Sequence, residues 1–203
     1  MSRFKFVLVT LCTILLLAAC NDNKSYRLLR PNDVILAFGN SLTHGTGAPE
    51  GQSYPDQLHR LTRRPVINAG VPGEVSAEGL QRLPALLDEH KPDLLILCHG
   101  GNDMLRQLDR QQTINNLRAM IEAARSRQIP VVLVAVPQPG LLVSVAPFYR
   151  ELADQYGLLL EESVIRDTLT DRALKSDTIH PNAAGYEQVA RRIADLLKEA
   201  NVI

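Results

Sequence analysis

Tryptophan is absent from this sequence, and aromatic residues make up only 4% of it. A platform that stacks nucleobases needs such rings, so single-stranded nucleic acid is a poor fit as partner. Neither sign of charge is in excess, since 22 Lys plus Arg balance 22 Asp plus Glu. The basic footprint of a nucleic-acid binder is therefore missing as well. Cysteine is scarce, at three residues. Cys12 and Cys20 lie near the amino terminus and Cys98 in an apolar run, so no internal disulfide framework is expected. Cys98 reads first as a small core hydrophobe, with a thiol nucleophile as the alternative. No set of His, Cys and carboxylate residues has metal-ligand spacing, and no metal is expected. No lysine occurs between Lys24 and Lys91, which removes a phosphate loop ending in Gly-Lys-Ser/Thr. Glu50 stands where Gly45-x-Gly47 would need the third glycine of a dinucleotide fingerprint. What remains, with 45% hydrophobic and 22% charged residues in a chain of 203, is one domain plus an extension, an enzyme or small-ligand binder.

The extension is at the amino terminus. Arg3 and Lys5 precede an apolar run from Phe6 to Leu17, the order of a signal peptide's basic and hydrophobic regions. Asn21-Asp22-Asn23-Lys24 interrupts that run too soon for a membrane-spanning helix. Leu17-Ala18-Ala19-Cys20 resembles the lipobox of bacterial lipoproteins. That resemblance implies cleavage before Cys20, a diacylglycerol on its thiol and attachment to a membrane of the bacterial cell envelope. An ordinary secretory signal is the alternative. Asn21, rather than Asp, beside the cysteine resembles lipoproteins exported to the outer membrane. The expected division is a signal peptide over 1–19, a lipidated cysteine and tether over 20–32, and a folded domain over 33–203.

Within that domain apolar runs alternate with helical patterns. Val34–Phe38, Val66–Ala69, Leu94–Cys98, Val131–Val136 and Leu158–Leu160 are short and apolar enough for buried strands. Leu80, Leu83 and Leu87 line one face of a helix over Ser76–Leu87. Thr113 is a candidate cap for a helix running to about Arg127, with Ile114, Leu117, Met120 and Ile121 inward. Val189, Ile193, Leu196 and Leu197 repeat the pattern over Ala183–Ala200. Strand alternating with helix predicts a parallel sheet covered on both faces, with ligands beyond the carboxyl ends of the strands.

The unusual residues cluster at those ends. Gly39-Asn40-Ser41 follows the first strand, Gly70-Val71-Pro72-Gly73 the second, and Gly100-Gly101-Asn102-Asp103 the third. Ser41 in a rim turn suits a nucleophile, although a helix cap has the same composition. Asp177-Thr178-Ile179-His180-Pro181 leads into the final helix, with Pro181 suited to its first turn. The three-residue separation allows a carboxylate to reach the imidazole Nδ1, or else marks an ordinary helix-entry loop. The backbone N–H groups of Ser41 and Gly73 and the Asn102 amide are candidate oxyanion donors. His44 reads as a solvated loop residue, His59 and His90 as surface residues, and His99 as floor of the site. Gln138–Pro147 is an apolar stretch on the same rim, where Leu141, Leu142 and Val143 are candidates for an acyl- or aryl-binding wall.

Gly39-Asn40-Ser41-Leu42, Gly73, Gly101-Asn102-Asp103 and Asp177-x-x-His180-Pro181 together resemble the blocks of the SGNH (GDSL-type) hydrolases. Gly79–Leu87 and Gly100–Arg106 are similar to the bacterial thioesterase/lysophospholipase/arylesterase branch. The resemblance implies a flavodoxin-like three-layer α/β/α sandwich with a parallel sheet of about five strands and no cofactor. It implies Ser41 as nucleophile, His180 as base then acid, Asp177 orienting His180, and Ser41, Gly73 and Asn102 as the oxyanion hole. The substrate would be a small-molecule ester, thioester or lipid. O-acetyl groups of cell-wall polymer or polysaccharide, and a non-enzymatic envelope lipoprotein, are the alternatives. One position departs from the family, which usually has Asp where this chain has Asn40. Asn keeps a carbonyl acceptor of similar shape, so retained activity is expected. Oligomeric state is not legible in the sequence.

Overall fold

Unbroken apolar pentads become the two central strands. Ile35–Gly39 (β1) and Leu94–Cys98 (β3) are buried at every residue and pair in parallel, Ile35 opposite Leu94 and Gly39 opposite Cys98. The computed structural model describes residues 26–140 and 144–203. Around this pair, Val66–Gly70 (β2), Val131–Val134 (β4) and Leu159–Glu161 (β7) complete a five-stranded parallel sheet in the order β2-β1-β3-β4-β7. A short antiparallel hairpin, Pro137–Gln138 (β5) with Ser144–Val145 (β6), lies apart from it. The flavodoxin-like α/β expectation is thus what the chain adopts.

The helices fall into two groups. Tyr54–Thr62 (α2) packs on Ala183–Glu199 (α8), and Val164–Thr170 (α7) packs on α8 as well. Ser76–His90 (α3) packs on Arg110–Arg125 (α5), and Phe148–Tyr156 (α6) lies against β7. Two shorter helices, Ser41–His44 (α1) and Gly101–Leu105 (α4), follow β1 and β3 directly. Strand order reverses direction between β1 and β3, and doubly wound sheets leave a crevice at such a point. Both short helices open onto it.

Several boundaries differ from the sequence expectations. Helix α5 starts at Arg110 because the Asp109 side chain accepts the Gln112 N–H, so Asp109 and not Thr113 is its cap. Thr113 instead faces inward, its hydroxyl donating to the Asp109 carbonyl at 3.0 Å. Helix α2 has no counterpart among the sequence patterns. Ser53 and Asp56 form a reciprocal capping box there, with Pro55 in the first turn. Strand β4 ends at Val134, and Ala135 and Val136 turn towards the hairpin.

From Tyr26 onward the expected tether is docked on the domain. The Tyr26 hydroxyl donates to the Val131 carbonyl at 2.5 Å and accepts the Leu159 N–H at 2.8 Å. Leu29 is buried, and its N–H reaches the Val202 carbonyl at 2.7 Å. Arg27 pairs with Asp33 and Asp93. Apart from Val202, which follows the last helix, these partners lie at the amino ends of β1, β3, β4 and β7, opposite the crevice.

Candidate active site

The turn after β1 presents Ser41. Asn40 caps α1: its Oδ1 accepts the Leu42 N–H at 3.1 Å, and its main-chain carbonyl accepts the N–H groups of Thr43 and His44. Ser41 is therefore the first helical residue, whose own N–H has no partner within the helix and is free for a ligand. The turn is tight enough to demand glycine. A Cβ on Gly39 would stand 2.2 Å from the Cys98 carbonyl oxygen and 2.3 Å from Thr43 Oγ1.

His180 comes from the loop before α8. Pro181 was expected in the first turn of that helix, but Asn182 caps it by accepting the Gly185 N–H, and the helix begins at Ala183. Pro181 is instead bridged to Lys175, which folds the loop back on itself. Within the loop, Asp177 Oδ1 accepts the N–H groups of Ile179 and His180, each at 2.8 Å. Its other oxygen lies 2.8 Å from His180 Nδ1, and His180 Nε2 lies 3.1 Å from Ser41 Oγ. The carboxylate accepts only, so Nδ1 carries the proton and Nε2 is left to accept from the serine hydroxyl. Partial burial pushes the Asp177 carboxyl up, but the hydrogen bonds from His180 and the Ile179 N–H outweigh it and leave it below the usual aspartate range.

Asn102 lies in the first turn of α4, behind a left-handed Gly100. One amide hydrogen goes to the Glu74 carbonyl at 2.8 Å, which leaves the second for a ligand. Gly73 is next to Glu74 in a left-handed conformation, and its carbonyl accepts from Arg106 at 2.7 Å. A cavity of about 240 Å³ opens beside Ser41, His180 and Asn102. Leu42, Leu105, Val136, Pro139, Leu169 and Ile179 supply apolar wall. Gly73 does not line this cavity but flanks it through Glu74 and Arg106. Leu141, Leu142 and Val143, the expected wall, lie outside the described residues, as does Cys20. Gln138 to Gly140, in the same apolar stretch, do line the cavity, as does Pro137 just before it.

Of the histidines set aside, His44 and His59 are exposed and His90 partly so. His99 is completely buried beneath the site, where it bonds Glu74 at 3.0 Å. Cys98 is buried too, and desolvation drives its thiol up to about 12, which removes it as a nucleophile. Three supporting groups do not stand out in the sequence. Asp103 accepts the N–H and hydroxyl of Ser76 at 2.9 and 2.5 Å, tying α4 to α3. Glu74 and Arg82 join His99 in a buried cluster. The position of Glu74 beside Gly73 was the one available signal. An arginine on an amphipathic helix reads as surface. Among the described residues no group of three or more His, Cys, Asp or Glu is placed to hold a metal.

The sequence profile of the GDSL-like lipase/acylhydrolase family matches residues 37–188. Among characterised proteins, the chain is 28% identical to thioesterase 1/protease 1/lysophospholipase L1 of Escherichia coli K12, over 82% of this chain and 84% of that protein. It is 29% identical to esterase TesA of Pseudomonas aeruginosa, covering 81% of this chain and 87% of that one. Among solved structures, the SGNH-hydrolase family esterase AlinE4 superposes with a TM-score of 0.62 at 34% identity, covering 85% of this chain and 98% of that one.

Proposed function

This chain belongs to the GDSL-like lipase/acylhydrolase family and is a carboxylic ester hydrolase, and from that premise we propose that Ser41, His180 and Asp177 cleave acyl esters or thioesters through an acyl-enzyme. The observation that carries this reading is the unbroken chain from Ser41 Oγ to His180 Nε2 at 3.1 Å and from His180 Nδ1 to Asp177 at 2.8 Å. Ser41 Oγ attacks the carbonyl carbon while Nε2 takes its proton. Charge then develops on the former carbonyl oxygen, which accepts from the Ser41 N–H and the free hydrogen of the Asn102 amide, with the Gly73 N–H at the cavity's edge as the third donor that the family resemblance implies. His180 returns the proton to the departing alcohol or thiol. Water, deprotonated by the same nitrogen, releases the acid. Asp177 holds the tautomer and balances the imidazolium.

The apolar wall of the cavity supports a substrate with an acyl or aryl group rather than an acetylated sugar, which would leave Leu105, Leu169 and Ile179 facing hydroxyls. Ser41→Ala should abolish turnover of a short aryl ester while leaving the folded state intact. Undiminished turnover would overturn the assignment. Lipid attachment at Cys20 and residence at the outer membrane belong to the same proposal, supported by the order of basic, apolar and Ala-Ala-Cys residues. Palmitate labelling that persists in Cys20→Ala would reject it.

A further inference from the structure

We propose that Glu74, Arg82 and His99 are positioning residues, a buried cluster that sets the oxyanion donors in register with Ser41; the inference rests on the esterase reading above. Glu74 is 5% exposed and His99 fully buried, yet neither touches the cavity. A carboxylate there needs a structural reason, because burying one is costly unless it is paired. It is paired on both sides. Arg82 donates through Nε to Glu74 Oε1 at 2.5 Å and through Nη2 to Oε2 at 2.9 Å. His99 Nε2 meets the same Oε2 at 3.0 Å. The tautomer is set from the other side, since the Gly100 N–H donates to His99 Nδ1 at 2.9 Å, which makes Nε2 the donor.

Every arm of this cluster ends on a loop that bears a candidate catalytic group. Arg82 Nη2 also reaches the Gly39 carbonyl at 3.2 Å and the Ala69 carbonyl at 2.7 Å, at the ends of β1 and β2. Gly39 lies two residues before Ser41. The Glu74 carbonyl takes one hydrogen of the Asn102 amide, which aims the other, and its own N-terminal neighbour is Gly73. His99 precedes the left-handed Gly100 from which α4 and Asn102 spring, and its carbonyl is fixed by the Tyr149 hydroxyl at 2.6 Å. Phe38 packs against the same cluster, with the Arg82 guanidinium 4.1 Å from its ring centre and the His99 ring at 5.9 Å. Three strand ends are thereby tied to one ion pair.

Helix α3 is shaped for this contact. Gly79 sits within it, where glycine is a poorer helix former than alanine. A Cβ at Gly79 would stand 2.6 Å from His99 Nε2 and 3.1 Å from Glu74 Oε2, so the helix gives up propensity where the pair needs room. The polarity of the cluster also excludes a neutral stand-in for Glu74. An amide would turn an N–H towards either Arg82 or His99, both of which are donors.

The test is a kinetic cycle on the full-length protein with a short aryl ester, measured well below each variant's melting temperature. Glu74→Gln should lower kcat about 10- to 100-fold with KM little changed, the scale of a displaced catalytic group. Added to Asn102→Ala, it should cost clearly less than it does alone, because part of its effect runs through that amide. Gly79→Ala, which parts the cluster without altering charge, should show the same split. Each variant should still react at Ser41 with a fluorophosphonate, whereas Ser41→Ala should not. Unchanged kcat with only a lowered melting temperature, or losses that multiply fully with Asn102→Ala, would overturn the proposal. Turnover surviving in Ser41→Ala would instead overturn the reading beneath it.

Discussion

His180 Nε2 lies 3.1 Å from Ser41 Oγ although 139 residues separate them in the chain. The contact joins the turn after the first strand to the loop before the last helix. It therefore exists only when the sheet and helix α8 are docked. Asp177, by contrast, belongs to the same loop as His180, and its side chain is 52% exposed. The two partners of Ser41 should differ in how sharply their loss is felt.

His180→Ala removes the base outright, and kcat on an aryl ester should fall by about 10⁶-fold. Asp177→Ala leaves a base that water can partly orient, so a smaller loss, about 10⁴-fold, is expected. The Asp177 carboxyl is held below its usual range, so it stays ionised through neutral and mildly acidic pH. The acid limb of kcat/KM should accordingly owe no proton to Asp177. A limb of slope two, or equal losses in the two variants, would contradict this division of roles.

Asn40 supplies a cap through its carbonyl oxygen while lining the cavity. Asn40→Asp retains that acceptor and the shape of the turn, so kcat should change by less than about tenfold. Asn40→Ala loses the cap, and stability should drop by about 1 kcal/mol, with a fall in kcat as Ser41 loosens. Thermal melts and aryl-ester kinetics on both variants check the pair. An inactive Asn40→Asp would show that the amide hydrogens, not the carbonyl, matter.

Asp33 carries the acid sensitivity of the amino-terminal strap. The Arg27 guanidinium beside it, together with the Arg30 N–H, holds its carboxyl down to about 2, from an ordinary 3.8. A depressed carboxyl stabilises the fold above the unfolded value and loses that contribution as pH falls towards the folded one. The strap should therefore loosen between about pH 4 and about pH 2, and Asp33→Asn should flatten the stability profile across that window. Denaturant melts at a series of pH values measure both. An unaltered profile in Asp33→Asn would remove Asp33 from the account.

The residues that could be read from the sequence are those whose chemistry is local. Ser41 and His180 stand in short blocks whose order and spacing survive without coordinates, and β1 and β3 are apolar at every position. Leu94–Cys98 needed no partner to be recognised. What escaped needed the third dimension. Arg82 occupies a polar position of an amphipathic helix, and only the crossing of α3 over the ends of β1 and β2 turns it inward onto Glu74. Thr113 and Asp109 both have capping chemistry. The choice between them depends on Thr113 being drawn into the buried layer around Asp103. Pro181 suited a helix start, but its bridge to Lys175 kept it outside.

The route of the amino terminus bears on which substrates the enzyme reaches. Tyr26 is bonded at the starts of β4 and β7, whereas Ser41 and Asn102 stand at the carboxyl ends of β1 and β3. Between Cys20 and Tyr26 the chain spans at most about 20 Å when fully extended. A domain of this size has a radius of gyration of about 16 Å, and so a diameter of roughly 40 Å. With Cys20 lipidated as proposed, the catalytic rim cannot fold back onto the bilayer that holds the anchor. Reconstituted into vesicles, the lipidated protein should hydrolyse a dissolved aryl ester at the rate of a Cys20→Ala protein, yet leave an acyl ester embedded in its own bilayer almost untouched. Inserting a flexible Gly/Ser segment of about 20 residues before Tyr26 should restore attack on the embedded ester, because a chain of that length can pass around the domain. Rapid hydrolysis of the embedded ester with the natural spacing would show that the strap at Tyr26 releases at the membrane.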